Sequence, residues 1–145
     1  MENSFFISYE FDKLVNHVSS KKSIGKIEKE GFKTGFELGI AEKRKAIYFS
    51  DSGVNEFIYA RNKEGEAFEG DEVGQIFVNI KGLKLLNLNY KNEFGEFSNH
   101  AEYQKFVTKG ELEKIPFEID GSISFLQDGR IYEVALKKSV ANTLV

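Results

Sequence analysis

The chain has 145 residues, of which 41% are hydrophobic and 30% are charged, and its formal net charge is −3. These values are typical of one globular domain with its own core, and the slight negative charge argues against general binding to nucleic acid. The absence of cysteine excludes a disulfide framework, a thiolate nucleophile and a zinc site built on cysteine.

The N-terminus is acidic and polar, and it lacks the basic region and long apolar segment of a signal peptide. No apolar run approaches the length that a membrane-spanning helix needs. We therefore expect a cytoplasmic protein with no membrane partner, folded as a single domain over residues 1–145.

Two extended segments open the chain. Alternating apolar residues predict a strand over residues 4–11. Residues 14–19 form a second extended segment, or a continuation of the first, and this segment carries His17.

The first predicted helix has its own start and stop signals. Ser20 or Ser23 can cap its N-terminus by accepting a hydrogen bond from a main-chain N–H group. Ile24 and Ile27 give the helix one apolar face, and Gly31 is well placed to end it.

The next part of the chain predicts a loop, a strand and a second helix. Residues 33–45 are charged and contain glycine, which is typical of a loop. Residues 46–49 are a short run of β-branched and aromatic residues, which predicts a strand. Residues 50–52 can cap a helix, in which apolar residues at positions 54, 57 and 58 recur at helical spacing.

The rest of the chain predicts mainly strands. Residues 62–74 predict a loop and residues 99–107 a helix, while the Asp-Gly pair at residues 128–129 predicts a tight hairpin turn. The predicted strands span residues 75–80, 83–90, 122–126 and 130–136. Strands therefore dominate, with two or three short helices, which indicates an α+β fold built around antiparallel sheets.

Three segments together resemble the ADP-ribosyltransferase superfamily, in a form closest to its poly(ADP-ribose) polymerase branch. Residues 17–32 are similar to the opening motif, in which a histidine precedes a short helix and a Glu-Gly pair. Residues 48–59, from Tyr-Phe-Ser-Asp to a second tyrosine, are similar to the central motif. Residues 120–136, with an Asp-Gly pair before Tyr-Glu-Val, are similar to the closing strand. The segments occur in family order and span nearly the whole chain.

The resemblance implies a split β-sandwich of two small antiparallel sheets. It also implies that the chain uses NAD as a substrate and transfers ADP-ribose to a macromolecular acceptor, either protein or nucleic acid, with release of nicotinamide. With its departures from the polymerase pattern at Val18 and Glu56, the chain is similar to small bacterial or phage mono-ADP-ribosyltransferases and toxins.

The resemblance implies that Glu133 is the catalytic residue. Its carboxylate would bond the ribose on the nicotinamide side and stabilise a transition state that resembles an oxocarbenium ion, without a metal. Strand alternation places Ile131, Glu133 and Ala135 on one face, so the carboxylate either faces solvent or lines a cleft. Nearby carboxylates that are candidates if the alignment shifts are Glu118, Asp120 and Asp128.

The resemblance also implies the NAD-binding residues. His17 would bond the adenosine ribose, while Tyr48 and Tyr59 would stack on the nicotinamide ring, so that His17, Tyr48 and Glu133 converge on one cleft. By residue type alone, His17 and the two tyrosines are more typical of a protein core. Arg44 or Lys43 can pair with the pyrophosphate. The other candidate NAD-binding residues in these motifs are Val18, Ser19 and Ser50.

Two positions differ from the polymerase pattern and leave alternatives open. Val18 stands where that branch has glycine, and Glu56 stands where it has a serine that binds the carboxamide. These differences favour a mono-ADP-ribosyltransferase over a polymerase, and they also fit an inactive relative that binds a protein or a nucleotide. A tRNA 2′-phosphotransferase is disfavoured because no arginine lies near His17 in the sequence.

Overall fold

The computed structural model describes residues 4–38, 44–52, 73–91 and 100–145. The strands in these ranges are β1 (Phe6–Ile7), β2 (Leu14–Ser20), β3 (Ile47–Phe49), β4 (Val73–Asn79), β5 (Leu85–Asn87), β6 (Gly121–Phe125) and β7 (Ile131–Leu136). The helices are α1 (Lys21–Glu30), α2 (Gly35–Leu38), α3 (His100–Lys109) and α4 (Lys138–Thr143), with a short 3-10 turn at Leu112–Lys114. None of the helices in the described ranges is long and apolar enough to cross a bilayer.

The strands form two sheets. The larger sheet has the order β1-β5-β6-β7-β3, and β2 pairs with β4 in a separate two-stranded sheet. The predicted α+β fold with two sheets is therefore confirmed. The prediction that both sheets are wholly antiparallel is wrong at one pair, because β5 and β6 run parallel. A parallel pair needs a long crossover, and the chain between β5 and β6 supplies one that includes α3.

The five-stranded sheet is covered on both faces. The first core joins it to the β2–β4 sheet and α1, and it includes Val15, Ile24, Ile47, Phe49 and Val134. The second core lies on the opposite face, beneath α3 and the 3-10 turn, and it includes Leu86, Val107, Leu112, Ile119 and Ala135. Because side chains alternate along a strand, neighbouring residues of β3 and β7 enter different cores.

Helix α1 begins and ends where its sequence predicts. The Ser20 side chain accepts a hydrogen bond from the main-chain N–H of Ser23 at 3.1 Å, which caps the first turn. At the other end, Gly31 has a φ of 85° and donates its N–H to the carbonyl of Ile27 at 2.8 Å. A positive φ favours glycine, so the stop signal is a property of this one residue.

A β-bulge at Tyr132 changes the predicted alternation of β7. Ser124 pairs with Glu133 and the next residue, Phe125, pairs with Ile131, so Tyr132 is an extra residue in β7. Ile131 consequently joins the first core with Val134, whereas Glu133 points to the same face as Ala135. The prediction that Ile131 shares a face with Glu133 is therefore wrong.

Candidate functional site

Strand pairing brings Tyr48 and Glu133 together on the second-core face of the larger sheet. Tyr48 of β3 pairs with Ala135 of β7, and Glu133 lies two residues before Ala135 on the same face. Arg44 bridges the two side chains. Its Nη1 lies 3.4 Å from Oε2 of Glu133, and its guanidinium carbon lies 4.6 Å from the centre of the Tyr48 ring. The site is thus an aromatic ring and a carboxylate that both contact one planar cation.

The Tyr48 ring is held in place from α3. Its hydroxyl donates to the main-chain carbonyl of Val107 at 2.9 Å, and Val107 is itself buried. A buried aromatic hydroxyl normally finds such a partner, and the bond fixes the direction of the ring. The ring is only half-buried, and the guanidinium of Arg44 lies over it.

His17 lies on the opposite face of β3. Its ring contacts the rings of Phe32 and Phe49 in the first core, at centroid distances of 5.4 and 5.7 Å. The His17 side chain contacts the main chain of Tyr48 and not its ring, because Nδ1 lies 2.8 Å from the Tyr48 carbonyl oxygen. A carbonyl only accepts, so Nδ1 carries the proton, and Nε2 of the neutral ring is an acceptor.

The structure therefore divides the residues that the sequence groups in one cleft. Tyr48 and Glu133 are together, whereas the His17 ring is across β3 from both, and the prediction that all three converge on one cleft is wrong. The reason is alternation, since Phe49 and Tyr48 are consecutive residues and His17 packs beside Phe49.

Three further predicted NAD-binding residues, Ser50, Val18 and Ser19, take part in main-chain pairing between strands. Ser50 is buried, and its main-chain N–H and carbonyl both bond Asn16, at 3.0 and 2.8 Å, which joins β2 to the end of β3. Val18 and Ser19 lie in β2, opposite Gln75 and Gly74 of β4. The predicted helix after residue 52 lies outside the described residues, as do Tyr59, Glu56 and Lys43.

The alternative carboxylates make contacts of other kinds. Asp120 accepts a hydrogen bond from the main-chain N–H of Lys84 at 2.7 Å. Asp128 pairs with Arg130 at 2.9 Å, and hydrogen bonds from the main chain and side chain of Arg130 lower the pKa of Asp128. Glu118 is exposed to solvent. Glu133 differs from these three carboxylates because its partner, Arg44, also lies against the Tyr48 ring.

Two features of the site have no signal in the sequence. The sequence offers Arg44 or Lys43 as a partner for the pyrophosphate, and it does not indicate the contacts of Arg44 with Tyr48 and Glu133. Asp51 accepts a hydrogen bond from the main-chain N–H of Ile131 at 2.7 Å and pairs with Lys13 at 3.0 Å. The Asp51 contact fixes the start of β7, two residues before Glu133, across a separation of 80 residues.

The environment of His17 predicts a pH dependence of stability. Burial against Phe32 and Phe49 lowers the pKa of His17 from its ordinary value of 6.5, although the bond to the Tyr48 carbonyl opposes the shift. The unfolded chain thus binds this proton more readily than the folded chain does. The contribution of neutral His17 to the free energy of unfolding is therefore fully present above pH 6.5. It is lost as the pH falls below that value toward the lower pKa of His17 in the folded chain.

We expect the free energy of unfolding to decrease between about pH 7.5 and about pH 5.5, as measured by urea denaturation. This range lies above the titration of most carboxylates, so His17 dominates the change. His17→Gln should remove most of the slope, while His100→Gln, which changes the other histidine of the chain, should retain it. An unchanged slope in His17→Gln would contradict the assignment.

Comparison with protein-family models, curated proteins and solved structures gives no match for the chain. A proposal for its function therefore depends on the contacts of the described residues and on the three sequence segments.

Proposed function

We propose that the chain is an NAD-dependent mono-ADP-ribosyltransferase, which transfers ADP-ribose to a macromolecular acceptor and releases nicotinamide. The observation that supports this proposal most directly is the pairing of Tyr48 with Ala135. This pairing sets the Tyr48 ring and the Glu133 carboxylate on the same face of one sheet. A ring that can stack on nicotinamide and a carboxylate that can stabilise a cation are the two groups that this reaction needs.

In the proposed mechanism, the bond between nicotinamide and its ribose breaks before the acceptor attacks. The nicotinamide ring stacks on Tyr48, whose direction is fixed by the bond to Val107. Positive charge then develops on the ribose as neutral nicotinamide leaves, and the Glu133 carboxylate stabilises that charge. A nucleophilic group of the acceptor forms the new bond to the same ribose carbon, and its proton passes to Glu133 or to water.

His17 has a separate part in this proposal. Because Nδ1 is committed to the Tyr48 carbonyl, Nε2 can accept a hydrogen bond from a ribose hydroxyl. The ring lies across β3 from Tyr48, and NAD carries a second ribose beyond its pyrophosphate. We assign His17 to the adenosine ribose at the far end of the ligand, which requires NAD to pass around β3, the last strand in the order of the larger sheet.

The test is NAD binding and turnover by the purified chain, with two substitutions of Tyr48. Calorimetry should show NAD binding, and chromatography should detect released nicotinamide. Tyr48→Leu removes the ring and should weaken NAD binding by about fivefold, since an aromatic contact contributes ~1 kcal/mol beyond its area. Tyr48→Phe keeps the ring and loses the bond from its hydroxyl to Val107, so it should bind NAD within about threefold of the wild type. Failure of the wild type to bind NAD would refute the proposal.

A second candidate function is a binding module without catalysis. The contacts of Arg44 favour it, because the guanidinium lies against the Tyr48 ring and pairs with Glu133, so both groups are already engaged. Val18, which stands where the polymerase branch has glycine, favours it as well. NAD binding without nicotinamide release, in the presence of a range of protein and nucleic-acid acceptors, would support this function over the first.

A further inference from the structure

Tyr48 and Glu133 form a subsite that suits a flat, positively charged group. We call it the planar-cation subsite. An aromatic face attracts a cation, and a carboxylate beside the ring pairs with it. In the structure the group at this place is the guanidinium of Arg44, which is flat and permanently charged.

We propose that Arg44 is an internal competitor that occupies the planar-cation subsite until a ligand of the same shape and charge displaces it. The inference rests on the proposed function, because the nicotinamide ring of oxidised NAD is also a flat cation. Arg44 therefore stands where that ring would stack, and the chain in this state is autoinhibited. The ligand class of the subsite is an N-substituted pyridinium cation.

The geometry of the Arg44 contact fits an occupant that can be displaced. Charge-assisted hydrogen bonds between arginine and carboxylate are normally about 2.7–2.9 Å long. The contact from Arg44 to Glu133 is longer, at 3.4 Å. The Arg44 side chain is 23% exposed, and a move of its guanidinium into solvent would hydrate the cation further, which offsets the contacts that it gives up.

Competition also predicts which ligands the subsite selects. The stacking surface and the carboxylate both favour a charged ring over a neutral one. A pyridinium cation should therefore bind better than the neutral ring of the same shape, and oxidised NAD better than reduced NAD. Removal of Arg44 should raise the affinity for the cation, because the Arg44 charge then no longer competes with it.

The experiment compares two small ligands that differ mainly in charge, namely 1-methylnicotinamide, a cation, and nicotinamide, which is neutral. Both are titrated by calorimetry into the full chain and into Arg44→Ala and Arg44→Gln. Each variant should bind the cation about tenfold more tightly than the wild type, which corresponds to about 1.4 kcal/mol, and nicotinamide within about twofold. Arg44→Gln keeps a flat side chain of similar size, so it covers the case in which Arg44→Ala folds poorly.

The matched control is Lys45→Ala, which removes the adjacent positive charge from an exposed position. It should leave the affinity for 1-methylnicotinamide unchanged. Three results would each overturn the inference: no gain in the Arg44 variants, an equal gain in Lys45→Ala, or no binding of the cation by any form. Release of nicotinamide from NAD without an Arg44 effect would refute only this inference. An Arg44 effect without NAD turnover would refute only the transferase activity.

Discussion

Glu133→Gln should reduce the rate of nicotinamide release from NAD by about 10²–10³-fold, while the affinity for NAD falls by a smaller factor, about tenfold at most. Glutamine keeps the size of the side chain but removes the negative charge that faces both the pyridinium ring and the developing cation. The charge matters most in the transition state, so the larger part of the loss falls on kcat and the smaller part on binding. The measurement is single-turnover release of nicotinamide with saturating NAD, together with calorimetric titration of NAD and a thermal unfolding curve.

The matched control for this prediction is Glu118→Gln. Glu118 is exposed, and it is one of the carboxylates that a shifted alignment would make catalytic. The rate of Glu118→Gln should equal that of the wild type. A loss of rate in Glu118→Gln, with Glu133→Gln unaffected, would show that Glu118 and not Glu133 is the catalytic carboxylate. Equal activity in both variants would leave the Tyr48–Glu133 face without a catalytic role.

Gly110→Ala should lower the free energy of unfolding by about 3 kcal/mol, with a fall in Tm of about 10 °C. Gly110 directly follows α3 and has a φ of 75°, which disfavours any residue with a Cβ atom. A Cβ atom there would lie 2.6 Å from the main-chain nitrogen of Lys45, and closer still to that of Ala46. The overlap is with main chain, so a rotamer change cannot relieve it. The segment that must move leads from Arg44 into β3.

The control for Gly110 is Gly129→Ala in the hairpin turn. Gly129 has a similar φ of 90°, but a Cβ atom there would meet open space. Its substitution should therefore lower the free energy of unfolding only by the strain that a positive φ imposes on alanine, about 1–2 kcal/mol. Chemical denaturation gives the loss in free energy of unfolding for each variant. The difference between the two losses is the cost of the steric overlap at Gly110, because the strain in φ is common to both. If both lose the same stability, the segment from Lys45 to Ala46 adapts freely and the overlap has no cost.

Local sequence signals predicted the local structure well. The Ser20 cap, the stop at Gly31 and the strand over Ile47–Phe49 each depend on residues within a few positions of one another. The turn before β7 is a further example, because Gly129 there has the positive φ that an Asp-Gly turn requires. These features follow from propensity and from main-chain geometry, which a single sequence contains.

The arrangement of the site depends on distant pairs and was predicted less well. The bulge at Tyr132 exists only in relation to β6, and one extra residue there transfers Ile131 to the other core. The face on which His17 lies is set by Phe32 and Phe49, and no periodicity along β2 reveals those neighbours. Arg44 reaches Glu133 across 89 residues, so its position cannot be derived from the sequence around it.

The paired bonds between Asn16 and Ser50 have a consequence for motion. They are two reciprocal main-chain bonds, of 2.8 and 3.0 Å, at the point where the smaller sheet meets the edge of the larger one. Separation of the two sheets at this point would break both bonds and expose both amide protons to solvent. Deuterium uptake at Asn16 and Ser50 therefore reports how often the sheets part. A ligand that contacts both faces of β3 would hold the sheets together and slow this exchange.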